Sequence, residues 1–355
     1  MSTAHLYSEY RPGVPAATPT VSFELYPPRN PSRGSGVWAG ISRLIDTAPD
    51  YVSVTYGAAG KRTDTRDRSV QVLLNVLDRH RNLPAVAHLT CLGSTRAELT
   101  LIVRLLLRAG IRDFLALRGD PPGGDPNYLP AEGEPARAVD LVRLIREIAA
   151  EELPLGVGRG YNGAGATSAP RPEDYVSIAV AAYPAATGQG RANDIAALVE
   201  KERAGADYAI TQVFYSPHDY DSMVRELSLA GGRLPIVPGI MPLHDLKRLR
   251  AMEKLAGIPV PKHIERIFSQ ATSPDRLVRE TLSATVDVIG GVLDAGAPGI
   301  HLYTFNRPRP TLDILEYLRA SGYLGRTAGV RTPREPEVDT ELVSLALHRM
   351  TPSYY

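Results

Sequence analysis

Short apolar runs recur along the chain, at Val21–Tyr26, Tyr51–Tyr56, Pro84–Cys91, Asp113–Leu117, Tyr175–Ala182, Tyr208–Phe214, Leu234–Ile240 and Gly299–Phe305. They are rich in β-branched and aromatic residues and bounded by Pro, Gly and Asp, the pattern of buried strands. Stretches with helical spacing lie between them. Thr65–Arg68 leads into Val70, Val72, Leu73 and Val76. Ser94 reads as an N-cap ahead of Glu98, Leu101, Val103, Leu105 and Leu106. Ala136–Ile148 carries Val139, Leu141, Val142, Leu144 and Ile145. Strands alternating with helices predict a parallel sheet, and eight such units predict a single-domain α/β protein of the closed (β/α)8 TIM-barrel class. Chemistry in such a barrel gathers where strands end and βα loops begin. Glu24, Thr55, His88, Arg118, Asp120, Tyr183, Gln212, Tyr303 and Asn306 all fall there.

The barrel is expected over residues 21–322. Residues 1–20, with three prolines and little periodicity, read as a flexible arm. Residues 323–355 read as a linker, Arg326–Pro336, and a short helix, Thr340–Arg349, with Leu342, Leu345 and Leu347. Gly156–Pro172, dense in Gly, Ala and Pro, precedes a strand and so reads as a loop at the bottom of the barrel. Lys and Arg total 40 against 39 acids, a net charge of +1 that gives no reason to expect a nucleic-acid or anionic membrane partner. The single cysteine, Cys91, excludes an internal disulfide framework and a multi-cysteine metal site; inside an apolar strand it reads as an inert thiol. With no run near the ~18 apolar residues of a membrane span and no signal-peptide pattern, a cytoplasmic enzyme is expected.

Glu24 is a lone acid flanked by Phe23 and Leu25, which a strand turns to the opposite face. A carboxyl inside a barrel is costly unless paired or used. It is either half of a structural ion pair or a general acid with a raised pKa; the rigid Tyr26-Pro27-Pro28 that ends the strand favours the acid. In Arg118-Gly119-Asp120, Gly119 permits close approach of backbone to a ligand, Asp120 can accept hydrogen bonds from a heterocycle, and Arg118 can bind an anion. The bland alternative is an Asp-Pro turn with a surface arginine. His88 reads as a satisfied core histidine, and nothing around it has metal-ligand spacing, so no metal is expected. Gln212 is either a packing amide or a reader of a heterocycle's edge. No run ends in lysine, which argues against a Schiff-base aldolase.

Eight blocks in order resemble the methylenetetrahydrofolate reductase family: Ser22–Arg29 (SFELYPPR), Val52–Gly57 (VSVTYG), Ala87–Cys91 (AHLTC), Ala116–Pro122 (ALRGDPP), Ala181–Pro184 (AAYP), Ala204–Phe214 (AGADYAITQVF), Ile236–Pro242 (IVPGIMP) and Gly299–Arg307 (GIHLYTFNR). The resemblance implies a (β/α)8 barrel that reduces 5,10-methylenetetrahydrofolate to 5-methyltetrahydrofolate, with FAD relaying hydride from NADH or NADPH. It implies Glu24 as the acid that opens the five-membered ring and Asp120 beside the pterin and flavin. Gln212, Arg248, Tyr303 and Arg307 would contact the folate. Thr55, Tyr56, Ala58, His88, Arg118, Gly119, Tyr128, Tyr183, Asp194 and Lys201 would contact the cofactor, and Met252 would stack in the cleft. The partners implied are a small-molecule folate and further copies of the chain in a homo-oligomer.

The chain departs from the family's pattern on the diphosphate side. Thr187 stands where a histidine is usual, Ala197 where an amide is, and Glu200 where a base is, with Arg191 and Arg203 as possible compensation. These departures open an alternative in which reduced nicotinamide passes hydride directly to the folate. A barrel that binds folate without reducing it is a third reading, against which the retained Glu24 argues.

Overall fold

The computed structural model describes residues 2–28, 36–55, 62–80, 82–125, 127–153 and 176–324. Tyr56 and Ala58, the Gly156–Pro172 loop, the Arg326–Pro336 linker and the Thr340–Arg349 helix lie outside the described residues. The strands are β1 (Thr20–Leu25), β2 (Tyr51–Val54), β3 (Ala85–Thr90), β4 (Asp113–Leu117), β5 (Ser177–Ala182), β6 (Tyr208–Thr211), β7 (Ile236–Val237), β8 (Gly239–Ile240) and β9 (Gly299–Tyr303). All their pairings are parallel, in the order β7-β6-β5-β4-β3-β2-β1-β9-β8.

The run Leu234–Ile240 is one barrel strand in two halves. Ile236 and Val237 pair with β6, and Gly239 and Ile240 pair with β9. Pro238 between them has no N–H to give a ladder; its carbonyl accepts from His301 N at 2.9 Å. The break turns the strand from one neighbour to the next and closes the sheet into a barrel.

Ten helices surround it among the described residues: α1 (Gly36–Ile45), α2 (Arg62–Arg79), α3 (Arg96–Arg108), α4 (Ala138–Glu152), α5 (Gly188–Arg203), α6 (Pro217–Leu229), α7 (Leu246–Ala256), α8 (Lys262–Gln270), α9 (Pro274–Asp294) and α10 (Pro308–Ala320). Thr95, not Ser94, caps α3, because only Thr95 stands three residues before the acid that closes a capping box. Thr95 Oγ1 accepts from Glu98 N at 3.2 Å, and Thr95 N donates to Glu98 Oε2 at 2.8 Å. No helix among the described residues is long and apolar enough to cross a membrane.

Strand alternation sorts the side chains into two layers. Phe23, Leu25, Val52, Val54, Ala87, Leu89, Phe114, Ile178, Val180, Ile300 and Leu302 pack outward against the helices. Cys91 joins that layer, and burial pushes its thiol up to about 11. Ser22, Glu24, Tyr51, Ser53, His88, Tyr208 and His301 occupy the alternate positions and are buried inside the ring.

The first part of residues 1–20 is docked, contrary to a flexible arm. Thr3–Tyr7 forms a 3-10 helix across the N-terminal mouth of the barrel. Thr3 N and Oγ1 both donate to Asp113 Oδ1 at 2.7 Å, and Ala4 N donates to Ser177 Oγ at 2.8 Å. Tyr7 enters the barrel with its ring 5.0 Å from that of Tyr208 and its hydroxyl 3.0 Å from Tyr51 Oη and 3.1 Å from Thr20 Oγ1. A five-residue helix is too short to show periodicity. The trace it leaves in the sequence is polar: Asp113 and Ser177 are strand-opening residues that need partners inside. Burial raises Asp113 to about 6 against the lowering pull of Thr3.

Truncating the plug tests its weight. Tyr7→Ala should lower the unfolding free energy by about 3 kcal/mol, and Tyr7→Phe, which keeps the ring, by about 1 kcal/mol, both measured by chemical denaturation. An alanine variant that unfolds at the wild-type midpoint would show that the segment does not hold the barrel.

Candidate functional site

Glu24 projects from β1 into the C-terminal half of the barrel and is 5 % exposed. Thr55 Oγ1 donates to its Oε1 at 2.5 Å, and His88 Nδ1 lies 4.0 Å from the same oxygen. Burial pushes the carboxyl up to about 7, with the Thr55 hydrogen bond pulling the other way. Burial pushes His88 down to about 3. The contact between them therefore joins an uncharged ring to an acid near its midpoint and is not a standing ion pair. His88 is not the satisfied core histidine its position suggests, because Nε2 is buried and has no hydrogen-bond partner among the described residues. The satisfied one is His301, which sequence reasoning passed over: Nδ1 meets Ser22 Oγ at 2.8 Å and Nε2 meets Ser53 Oγ at 3.4 Å.

The segment after β9 holds the end of β1 in place. Thr304 Oγ1 donates to the Glu24 carbonyl at 2.8 Å. The Asn306 amide bridges the backbone of Tyr26, accepting from its N at 2.9 Å and donating to its O at 2.7 Å. Phe305 and Asn306 reach these positions in the left-handed region, at φ 50° and 58°. Phe305 stacks on Tyr26 with centroids 5.2 Å apart, and the Arg248 guanidinium sits 4.3 Å over the Phe305 ring. Arg307, exposed, is close enough to work against the Arg248 charge. Thr304 and Phe305 were not singled out in the sequence; the run Tyr303–Asn306 closing the eighth barrel strand was the available signal.

Tyr303 is placed inside the barrel, but its hydroxyl is committed to the Thr211 carbonyl at 2.6 Å. Gln212 is half-buried at the end of β6, with Oε1 accepting from Val213 N at 2.9 Å. Arg118 and Asp120 are exposed at the end of β4. Gly119 between them has φ 79°, and a Cβ there would lie 2.8 Å from Thr90 Cβ. Its small size thus serves a fit against β3 before any ligand. Tyr128 is half-buried in the following loop, and Met252 packs against the buried cluster that contains Val213, Tyr215 and Leu249.

On α5 the predicted cofactor residues are engaged with the protein. Asp194 Oδ2 accepts from Tyr183 N at 3.1 Å, leaving the Tyr183 ring 45 % exposed. Lys201 is buried, with Nζ donating to the Ala181 carbonyl at 3.0 Å. Arg191 donates to the carbonyls of Ala186 and Pro184. Glu200 is held by Arg137 at 2.9 Å and Arg143 at 3.2 Å, so its charge is neutralised toward α4. Ala197 is half-buried, Arg203 exposed, and Thr187 begins the helix without a side-chain cap bond. Of the positions that the resemblance assigns to the flavin ring, Thr55 is half-buried, His88 is buried and Tyr183 is exposed. Lys201 and Arg191 are already spent on carbonyls, whereas Arg203 on α5 and Arg118 after β4 are exposed. Among the described residues no group of three His, Cys, Asp or Glu is placed to hold a metal.

The profile of the methylenetetrahydrofolate reductase family matches residues 12–319. The 5,10-methylenetetrahydrofolate reductase of Salmonella typhimurium is 32 % identical over 303 residues, covering 84 % of this chain and 90 % of that protein. Methylenetetrahydrofolate reductase 2 of Schizosaccharomyces pombe is 30 % identical over 355 residues; the match covers 95 % of this chain but only 50 % of the yeast protein. Among solved structures, a Clostridium thermocellum protein described as binding two copies of 5-methyl-5,6,7,8-tetrahydrofolic acid matches with a TM-score of 0.52 at 14 % identity, over 81 % of this chain and 88 % of that one. That likeness supports the barrel fold. With the family profile covering most of the chain, this protein belongs to the methylenetetrahydrofolate reductase family.

Proposed function

We propose that the chain reduces 5,10-methylenetetrahydrofolate to 5-methyltetrahydrofolate, with Glu24 as the acid that opens the imidazolidine ring. The observation that carries this is a single carboxyl, buried at the mouth of a barrel and held near half-protonation at neutral pH. A protonated Glu24 gives its proton to N10 as the bond from the methylene carbon to N10 breaks, leaving a cationic iminium at N5. Hydride adds to that carbon and yields the 5-methyl group. Because the iminium is already electrophilic, the step needs no base. It needs an acid of matched pKa and close alignment of donor and acceptor. Asp120 and Gln212 provide acceptor and amide groups for the pterin edge, and Arg248 and Arg307 are cations for the anionic tail.

The hydride comes from NADH or NADPH. FAD, where bound, supplies a two-electron relay in the cleft lined by Thr55, His88, Gly119 and Tyr183. The engagement of Lys201, Arg191 and Glu200 with protein groups favours a second reading, in which the nicotinamide occupies that cleft and transfers hydride directly. Visible absorption of the purified protein after FAD addition and desalting separates the two. A retained flavin spectrum supports the relay. Colourless protein that oxidises reduced nicotinamide only with methylenetetrahydrofolate present supports direct transfer.

Glu24→Gln should reduce kcat by about 10²–10⁴-fold while leaving folate binding, measured by calorimetry, nearly unchanged; a variant with normal turnover would remove Glu24 from the mechanism. Folding raises this carboxyl from 4.5 to about 7. A raised acid stabilises the fold below the ordinary carboxylate range and loses that contribution as pH rises through about 7. The unfolding free energy of Glu24→Gln, measured by chemical denaturation, should therefore match wild type at about pH 4 and exceed it at about pH 8, by up to about 3 kcal/mol.

A further inference from the structure

We propose that Thr55 is a positioning residue for the reaction, whose hydroxyl holds Glu24 Oε1 and so leaves Oε2 as the oxygen that delivers the proton. This rests on the reading of Glu24 as the acid and assigns to Thr55 a duty toward the protein, beyond the cofactor contact that the resemblance implies.

Placement comes first. Glu24 faces Ser53 across the β1–β2 ladder, so Thr55, two residues on, shares the inward face diagonally from it. The backbone that carries the hydroxyl is fixed from two sides: Thr55 N donates to the Leu25 carbonyl at 3.0 Å, and Ser69 Oγ on α2 donates to the Thr55 carbonyl at 2.7 Å. A β-branched side chain on a fixed backbone has few χ1 choices. The one hydroxyl proton has two acceptors within reach, Glu24 Oε1 at 2.5 Å and Leu25 O at 3.3 Å, and the shorter bond to the carboxyl prevails.

No other described group takes this part. On β3, His88 is uncharged and 4.0 Å away. On β9, Tyr303 gives its proton to Thr211 O, and His301 is occupied by Ser22 and Ser53. Tyr26, next along β1, stacks on Phe305, and Arg248 on α7 reaches the same ring. Thr55 is thus the one donor to the Glu24 carboxyl among the described residues. A lone donor on Oε1 orients the group and stabilises its anion in part, without drawing the proton off Oε2 at neutral pH.

The experiment compares Thr55→Val, which keeps shape and loses the donor, with Thr55→Ser, which keeps the donor. The carboxyl C=O stretch of Glu24 is titrated by infrared difference spectroscopy, with Glu24→Gln as the blank, so that no turnover is needed. The same proteins are carried through a pH–rate profile. Thr55→Val should titrate about one pH unit higher than wild type, move the descending limb of kcat by the same amount, and lower kcat about tenfold with little change in KM. Thr55→Ser should restore all three. A valine variant that titrates at the wild-type midpoint, or a serine variant that behaves as valine does, overturns the proposal. Normal turnover by Glu24→Gln would instead overturn the acid reading, and the infrared midpoints would still decide whether Thr55 holds the carboxyl.

Discussion

The site depends on the cost of placing a carboxyl where water is scarce. The barrel wall around Glu24 is backbone already paired in ladders, so the wall has few donors left for a carboxylate. The protein meets this with one hydroxyl, an uncharged imidazole and a second, deeper imidazole satisfied by two serines. An arginine or lysine beside it inside the ring would hold Glu24 as a permanent anion. The cations instead stand at the rim, where Arg248 lies over Phe305 and Arg118 and Arg307 are exposed. Positive charge at the rim and none beside Glu24 among the described residues leaves the carboxyl free to take up a proton.

That arrangement needs the strand end to be rigid. The segment after β9 achieves this with Thr304 on the Glu24 carbonyl and Asn306 on the Tyr26 backbone, each replacing a ladder bond that the strands no longer make. The two left-handed residues that aim these groups are strained, and the stacking of Tyr26, Phe305 and Arg248 helps to hold them. The Glu200 charge is met locally: Arg137 and Arg143, distant in sequence, pair with it from the neighbouring helix.

The barrel was legible because it rests on period-two alternation and on repetition; β4 coincides with its predicted run, residue for residue. Glu24 was legible for the same reason, as an acid on an inward-facing strand position near the C-terminal end of its run. What escaped depended on contacts across the ring. That Leu234–Ile240 divides between two neighbours follows from barrel closure and not from its own composition. His301 looks no different from His88 along the chain, and only the serines on β1 and β2 distinguish the satisfied ring from the unsatisfied one. The helix at Thr3–Tyr7 was hidden because its partners lie on β4 and β5.

Those partners are far along the chain: Thr3 meets Asp113 across 110 residues and Ala4 meets Ser177 across 173. A contact of such long range cannot seed the fold, because the ring it enters must exist before it can enter. The tyrosine that fills the barrel's lower mouth therefore belongs among the last pieces to settle. Interactions made after the transition state slow unfolding without hastening folding. The segment acts as a latch, setting how long the closed barrel lasts and leaving the speed at which it forms to the strands and helices.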